Sequence, residues 1–571
     1  MNDLNAIPEN EKRVKVSFAT ALYFNSAFIA LCIACVAAIL YLPFLGAAHL
    51  FDWDEINFAE CAREMILTKN FTQPQINFQP FYEKPPLFIW FQVLSMKVFG
   101  MNEYAARFPD ALCGVTTLVT IFFVGKKITN NIRFGILWAI CFGASLLPHL
   151  YFKSGIIDPW FNFFIFLALT YLAKTFNGLK FWKTFGVIFL ASIFAGLALL
   201  TKGPVALLMI GLTYSITYFI LNFNKNFLRL LSNYFKIFIP FCFLSIGVAS
   251  LWFGDDLLNH SGKFTANFIQ YNLRLAQTQD AGHGGFIGYH FVVLLLGCFP
   301  AVAFALPEFI SPNREIVFVT EKNFSLLIRV LFFSTLIVFS LVQSKIVHYS
   351  SLCYFPLTYL AAVHLNRVLN KQRDKHLLSK LEKILPAVIL LFVGAVWCAA
   401  IIILPLVGQH TETIKPLFSK NAFALANLNA QVEWNNWELG FGIEFGAMFI
   451  LGVTLYLNQK FRFGLVLIFL ASLFLAQTIV YHFVPKIEKY SQGAAVEFYQ
   501  THKNLNCVIE TTNFKSYAQY FYAEKKPVNY INYNISLLDS LFVSKLDHPR
   551  DSSFQKIGQK NGFVFYSKRS H

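Results

Sequence analysis

The chain has 571 residues, of which 56% are hydrophobic and only 14% charged, and its mean hydropathy is +0.52. A soluble core under a polar surface cannot absorb that much apolar surface, so the composition describes a polytopic membrane protein. The formal net charge of +16 would suit a nucleic-acid partner in a soluble domain, but membrane proteins collect Lys and Arg in their cytoplasmic loops, and the basic balance reads as topology.

Lys12, Arg13 and Lys15 precede the first apolar run, from Ala21 to Gly46. At about 26 residues that run is well beyond the roughly 7 to 15 of a signal-peptide core, and it reads as an uncleaved first transmembrane helix with a cytoplasmic N-terminus. The stretch from Phe51 to Leu87, with Asp52, Asp54, Glu55, Glu83 and Lys84, then lies on the far side of the membrane. Ile56, Ala59, Ala62, Arg63 and Ile66 give Asp54 to Asn70 a helical pattern, and Pro86 to Gly100 is apolar but shorter than the roughly 20 residues of a span. Both are expected as interfacial helices of an extracytoplasmic loop over 49–102.

Apolar runs follow at 103–125, 134–152, 157–175, 184–201, 203–222, 234–253, 288–305, 324–342, 349–366, 385–407, 438–457 and 463–484. With the first, they predict about 13 spans. Alternate connections are basic, as at Lys126, Lys127 and Arg133, at Lys174, Lys180 and Lys183, at Lys225 and Arg229, from Arg367 to Lys383, and at Lys460 and Arg462. That alternation places the odd-numbered span exits and the C-terminus away from the cytoplasm. Thr201-Lys202-Gly203-Pro204 interrupts the run from 184 to 221 and predicts a tight turn between two spans. From Pro485 the charge rises and apolar runs shorten, which predicts a small α/β domain with strands at 506–510, 527–531 and 562–567 and a helix at 515–524. The expected organisation is an all-α membrane domain over 1–484 and an extracytoplasmic α/β domain over 485–571, in which nothing looks catalytic.

The ten cysteines show no metal or disulfide spacing. Only Cys61 and Cys507 fall in extracytoplasmic stretches, where a bridge between them is conceivable.

This topology gathers polar groups at one membrane face. Asp52, Asp54, Glu55, Glu83 and Lys84 come from the first loop and Arg107 from the start of the second span. Asp158 starts the fourth span, Lys202 sits in the Gly-Pro turn, Arg274 and His283 lie in the loop 254–287, and Lys345, His348 and Tyr349 lie between spans nine and ten. A carboxylate within hydrocarbon costs roughly 2.5 to 3.5 kcal/mol on insertion scales, so Asp158 calls for a partner or a function, although Asp before Pro is also a common helix start. Cations facing carboxylates beneath a membrane surface suit a ligand with a phosphate head and a lipid tail. No Gly-rich phosphate loop is present, so no nucleotide cofactor is expected and an activated lipid phosphate is the natural donor.

Several of these residues fall in ordered motifs: Asp54-Glu55-Ile56-Asn57-Phe58-Ala59-Glu60-Cys61-Ala62-Arg63-Glu64-Met65, Tyr82-Glu83-Lys84-Pro85-Pro86, Arg107-Phe108, Ile157-Asp158-Pro159, Thr201-Lys202-Gly203 and Ser344-Lys345. In this order they resemble the ArnT-like lipid-linked glycosyltransferases, GT-C fold membrane enzymes related to the protein O-mannosyltransferases. The resemblance implies thirteen transmembrane helices, a bacterial inner-membrane location with a periplasmic C-terminal domain, and transfer of a sugar from a polyprenyl phosphate to a lipid A-type or other glycan or lipid acceptor. It implies catalytic roles for Asp54, Asp158 and Glu55, donor-phosphate contacts from Lys84, Lys202, Arg274, Lys345 and Arg107, and a possible divalent metal near Glu83 and His283. Where ArnT proteins have Arg-Tyr, this chain has Asn57-Phe58, which leaves the sugar and the acceptor open. A protein O-mannosyltransferase-like enzyme acting on Ser/Thr hydroxyls is the alternative. A lipid-phosphate transporter is a further one, although such proteins place charges near the midplane and carry internal repeats, and neither is visible here.

Overall fold

The computed structural model describes residues 9–52, 54–178, 180–278, 284–311, 319–373, 379–503, 507–526, 540–546 and 554–568. Helix α1 (Glu9–Tyr41) leads into a loop built from α2 (Asp54–Thr68), a two-stranded antiparallel ribbon of β1 (Gln75–Ile76) and β2 (Gln79–Pro80), and α3 (Leu87–Phe99). The two helices expected in this loop are thus present within a residue or two of their expected ends. Next come α4 (Glu103–Thr129), α5 (Ile132–Gly143), α6 (Leu146–Tyr151), α7 (Asp158–Leu172), α8 (Phe181–Lys202), α9 (Val205–Asn222) and α10 (Phe227–Asn259). They are followed by α11 (Lys263–Gln277), α12 (Tyr289–Gly297), α13 (Ala301–Ile310), α14 (Val319–Leu341), α15 (Tyr354–Arg373) and α16 (Lys380–Gln409), and by helices Leu439–Leu457 and Phe461–Thr478.

The protein is a multi-pass membrane protein. Among the described residues eight helices are long and apolar enough to cross a membrane, and shorter apolar helices, including Ile132–Gly143 and Ala301–Ile310, pack among them. The expected runs at 134–152 and 288–305 are each broken in two. At the second break Gly297 ends α12, and Pro300, which lacks an amide hydrogen, stands before α13. At the first, the Ser145 hydroxyl turns back to the Cys141 carbonyl at 2.6 Å and competes with continuation of the helix.

The C-terminal region forms a sheet in the order β3-β4-β6-β5, from β3 (Val508–Thr512), β4 (Ser540–Lys545), β5 (Gln555–Lys560) and β6 (Phe563–Lys568). The first pair is parallel and the others antiparallel. Strands at 506–510 and 562–567 were expected near β3 and β6, and the expected helix is a short one at Ala518–Tyr522. The expected strand at 527–531 lies outside the described residues. β4 and β5 were not anticipated, and Gln-Lys-Ile-Gly-Gln-Lys in β5 is an edge strand too polar to read as one. None of the ten cysteines is in a disulfide, so the Cys61–Cys507 bridge is not formed.

This sheet does not stand apart. Ile56, Phe58, Phe88 and Ile89 from the first loop share one apolar core with Tyr499, Ile509, Phe521, Leu541, Val543, Phe563 and Phe565. The backbone just before α2 is stitched to the same unit: the Tyr522 hydroxyl accepts from the Leu50 amide at 2.7 Å, Gln492 donates to the Leu50 carbonyl at 2.8 Å, and the Ser516 hydroxyl meets Asp52 at 2.5 Å.

Although α2 carries several charges, it is buried along most of its length, so each charge must be matched. Arg63 forks onto Glu60 at 2.7 and 2.6 Å, and Glu64 accepts from the Phe78 amide at 2.7 Å. Burial, together with the neighbouring Glu60, pushes the Glu64 carboxyl above the usual carboxylate range.

Candidate active site

Helix ends bring the site together. Asp54 is the first residue of α2 and Asp158 the first of α7, so both carboxylates sit where exposed amides favour negative charge. Lys202 is the last residue of α8, where a cation is favoured. Its ammonium meets Asp158 Oδ1 at 2.6 Å.

Gly203 fixes that lysine. Its φ is +84°, and a Cβ there would stand 2.4 Å from the ring of Phe268 on α11. Left-handed backbone is cheap for glycine alone. Gly203→Ala is therefore expected to cost roughly 1 to 3 kcal/mol, read as a lower midpoint of thermal unfolding in detergent; an unchanged midpoint would show that α11 yields freely. Asp256 of α10 in turn anchors the start of α11, accepting from the amides of Phe264 at 3.1 Å and Thr265 at 2.8 Å.

His348 stands between the two carboxylates, its Nε2 3.8 Å from Asp54 Oδ2 and 3.8 Å from Asp158 Oδ2. Asp158 Oδ2 is buried with no hydrogen-bond donor. Lys84 completes the group. It is half-buried, with its ammonium 4.9 Å from the centre of the Tyr271 ring on α11. Burial holds its pKa below the usual lysine range, while Asp54 and Glu83 pull the other way. The Lys202 ammonium likewise faces rings, Phe161 at 5.5 Å and Tyr349 at 5.4 Å. Cations partly satisfied by ring faces keep charge for an incoming anion. The carboxylates differ: the Asp54 side chain is 35% exposed and that of Asp158 only 3%. A ligand can reach Asp54, whereas Asp158 orients Lys202 and His348.

Four expected residues take other places. Glu55 does not face this cluster. It receives Arg107 Nε at 2.9 Å and Nη2 at 2.8 Å and accepts from the amides of Phe51 at 2.9 Å and Gly155 at 2.7 Å. Arg107 spends its remaining donors on the carbonyls of Leu45, Ala48 and His49 at 2.7, 2.7 and 2.9 Å. The pair is a latch between the first loop, α4 and the approach to α7, with no donor left for a phosphate. Lys345 turns its ammonium to the carbonyls of Ser340 at 2.7 Å and Val342 at 2.5 Å, closing the end of α14. Arg274 lies exposed on α11 with its guanidinium 5.3 Å from the Tyr271 ring.

For the expected metal, Glu83 is 3.8 Å from the Lys515 ammonium, and His283 lies outside the described residues. Among the described residues no three His, Cys, Asp or Glu side chains group closely enough to hold an ion.

The contribution of α11 was not foreseen. Its signal was the Phe264, Phe268, Tyr271 spacing, which puts three rings on one helical stripe. His348 was gathered with the other polar groups but given no role, because its sequence position does not say that it bridges two carboxylates.

The bundle and this site define a membrane protein of the GT-C type. The profile of the family described as dolichyl-phosphate-mannose-protein mannosyltransferase matches residues 83–252. An undecaprenyl phosphate-alpha-4-amino-4-deoxy-L-arabinose arabinosyl transferase of Wigglesworthia glossinidia brevipalpis is 26% identical over 67% of this chain and 65% of its own length. One of the same name from Yersinia enterocolitica is 25% identical over 60% of each chain. The crystal structure of ArnT from Cupriavidus metallidurans bound to undecaprenyl phosphate superposes with a TM-score of 0.71 at 16% identity, covering 94% of this chain and 97% of that one. The chain is similar to these proteins in sequence and shares the fold of the solved ArnT structure, and it matches less than two thirds of the length of the two sequence relatives.

Proposed function

We propose that the protein is a glycosyltransferase of the bacterial inner membrane that moves a sugar from a polyprenyl phosphate to a lipid A-type acceptor on the periplasmic side. One observation carries this reading: Lys84 and Lys202 approach two carboxylates where α2, α7 and α8 meet, which suits a phosphate and a developing positive charge in one pocket. The names of the relatives and the topology read from loop charge support it.

The acceptor oxygen forms a bond to the anomeric carbon as the bond from that carbon to the phosphate oxygen breaks, and polyprenyl phosphate leaves with the electron pair. A phosphate leaving group needs no proton. Lys84 and Lys202 stabilise its charge, and a pair about 4 Å apart is worth on the order of 4 kcal/mol at an effective dielectric near 20. Asp158 keeps Lys202 in place. A hydroxyl acceptor would pass its proton to Asp54; a phosphate oxygen is already nucleophilic, and Asp54 then steadies the positive charge that builds on the sugar ring. Asn57 and Phe58 are buried, with Phe58 packed on Phe88, so their departure from the ArnT pattern alters packing behind the site.

In reconstituted vesicles with labelled lipid-linked sugar, Asp54→Asn is expected to lose transfer by about 10²-fold or more with its unfolding midpoint intact. Full transfer by that variant would remove Asp54 from the mechanism. The profile match to the protein mannosyltransferases favours a second reading, in which Ser/Thr hydroxyls accept. Label entering lipid supports the first reading and label entering protein the second.

A further inference from the structure

Asp158 opens α7, yet its own helix does little to fix where that turn begins. The N-cap is Ile157, which has no side chain able to hold a first-turn amide. The backbone leading into it is held from outside instead. Glu55 on α2 accepts from the Gly155 amide at 2.7 Å, and Asp110 on α4 accepts through Oδ2 from the Ile156 amide at 2.9 Å. Two consecutive amides thus end on two carboxyl groups from different helices. The approach to α7 also lies directly on α4: the Trp160 indole donates to the Pro109 carbonyl at 3.0 Å, and a Cβ on Gly155 would stand 3.2 Å from the Ala106 carbonyl oxygen.

Asp110 is fully buried. Glu55 and Asp158 both act on it with like charge, but Glu55 has Arg107 and Asp158 has Lys202. Among the described residues no cation pairs with Asp110, and its Oδ1 has no hydrogen-bond donor. A dry carboxyl beside two others is costly to keep. The one side-chain hydrogen bond it makes among the described residues goes to the amide two positions before Asp158. That bond matters to the site because Asp158 Oδ1 holds the Lys202 ammonium at 2.6 Å, and a displacement of about 1 Å carries such a pair out of hydrogen-bond reach.

We propose that Asp110 is a positioning residue: by accepting from the Ile156 amide it sets the start of α7, and so the place from which Asp158 aims Lys202 at the leaving phosphate. The inference rests on the glycosyl-transfer reading above and adds what aligns one of its two phosphate-facing lysines.

The test uses the full-length protein in vesicles of bacterial membrane extract with labelled lipid-linked sugar. Label is counted in lipid and in protein together, and each rate is taken per folded molecule by size exclusion. Asp110→Leu, which fills the space but removes the acceptor, is expected to lower transfer about 10- to 100-fold. Asp110→Ala, which removes the acceptor and cannot overpack, is expected to match it. Asp110→Asn keeps a carbonyl oxygen for the amide and is expected to stay within about threefold of the wild type. In a Lys202→Met background, Asp110→Leu is expected to cost no more than about threefold further, because the group it aligns is gone. Wild-type transfer by both Asp110→Leu and Asp110→Ala, an Asp110→Asn loss equal to theirs, or an undiminished loss in the Lys202→Met background would each overturn the positioning role. If the wild type transfers label and any of these results is found, the positioning role falls and the glycosyl-transfer reading stands. If the wild type transfers no label from the donor, both fall together.

Discussion

Lys84→Met is expected to lower transfer by about 10²- to 10³-fold, the loss seen when one preorganised charge-stabilising donor is removed from a reaction centre. The expectation follows from the position of Lys84 against Tyr271, where burial has stripped water from the ammonium without supplying a hydrogen-bonded counter-ion. The interaction with a leaving phosphate is strongest in such a place, because little solvent competes. The same burial sets a pH dependence. The pKa of Lys84 is lowered, so the charged form is present on the acid side and is lost on the alkaline side sooner than for a solvated lysine. Donor KM is expected to rise in that alkaline limb, and the limb should vanish in Lys84→Met. A variant that retains wild-type turnover, or a limb that survives the substitution, would place the phosphate elsewhere.

Arg107→Met is expected to destabilise the protein by roughly 3 to 5 kcal/mol, the usual result of leaving one member of a buried ion pair unpaired. Arg107 is 5% exposed and Glu55 6%, so neither charge can turn to water. Burial alone would raise the Glu55 carboxyl, but Arg107 and the amides of Phe51 and Gly155 bring it below its ordinary value of 4.5. A lowered carboxylate pKa gives stability that is complete above that ordinary value and is lost as pH falls through the folded value. The wild type should therefore lose unfolding free energy on acidification below about 4.5, and Glu55→Gln should lose less over the same range. Thermal unfolding of purified protein at several pH values measures both. An Arg107→Met midpoint equal to that of the wild type would mean the latch holds nothing.

How much of this could be read from the sequence depends on what each residue is asked to disclose. Hydropathy and loop charge located helix ends well enough to put Asp54, Lys84, Asp158 and Lys202 at one face, and the structure gathers those four. They did not tell which way a side chain turns once there. Arg107 and Lys345 share that face, but one faces three backbone carbonyls and a buried carboxylate and the other caps a helix. Such choices depend on unpaired carbonyls in elements distant in sequence, and single-sequence periodicity carries no record of them. The same limit hid β5, whose pairing partner rather than its own residues makes it a strand.

The bond between the Leu50 amide and Tyr522 spans 472 positions, and that between Asp52 and Ser516 spans 464. Asp54 is synthesised well before Ser516 and Tyr522, the groups that seat the start of its helix. A nascent chain can insert its early helices before then, but its first loop gains these contacts only once those residues have been made. A chain cut short before Ser516 would therefore sit in the membrane with its first loop unseated.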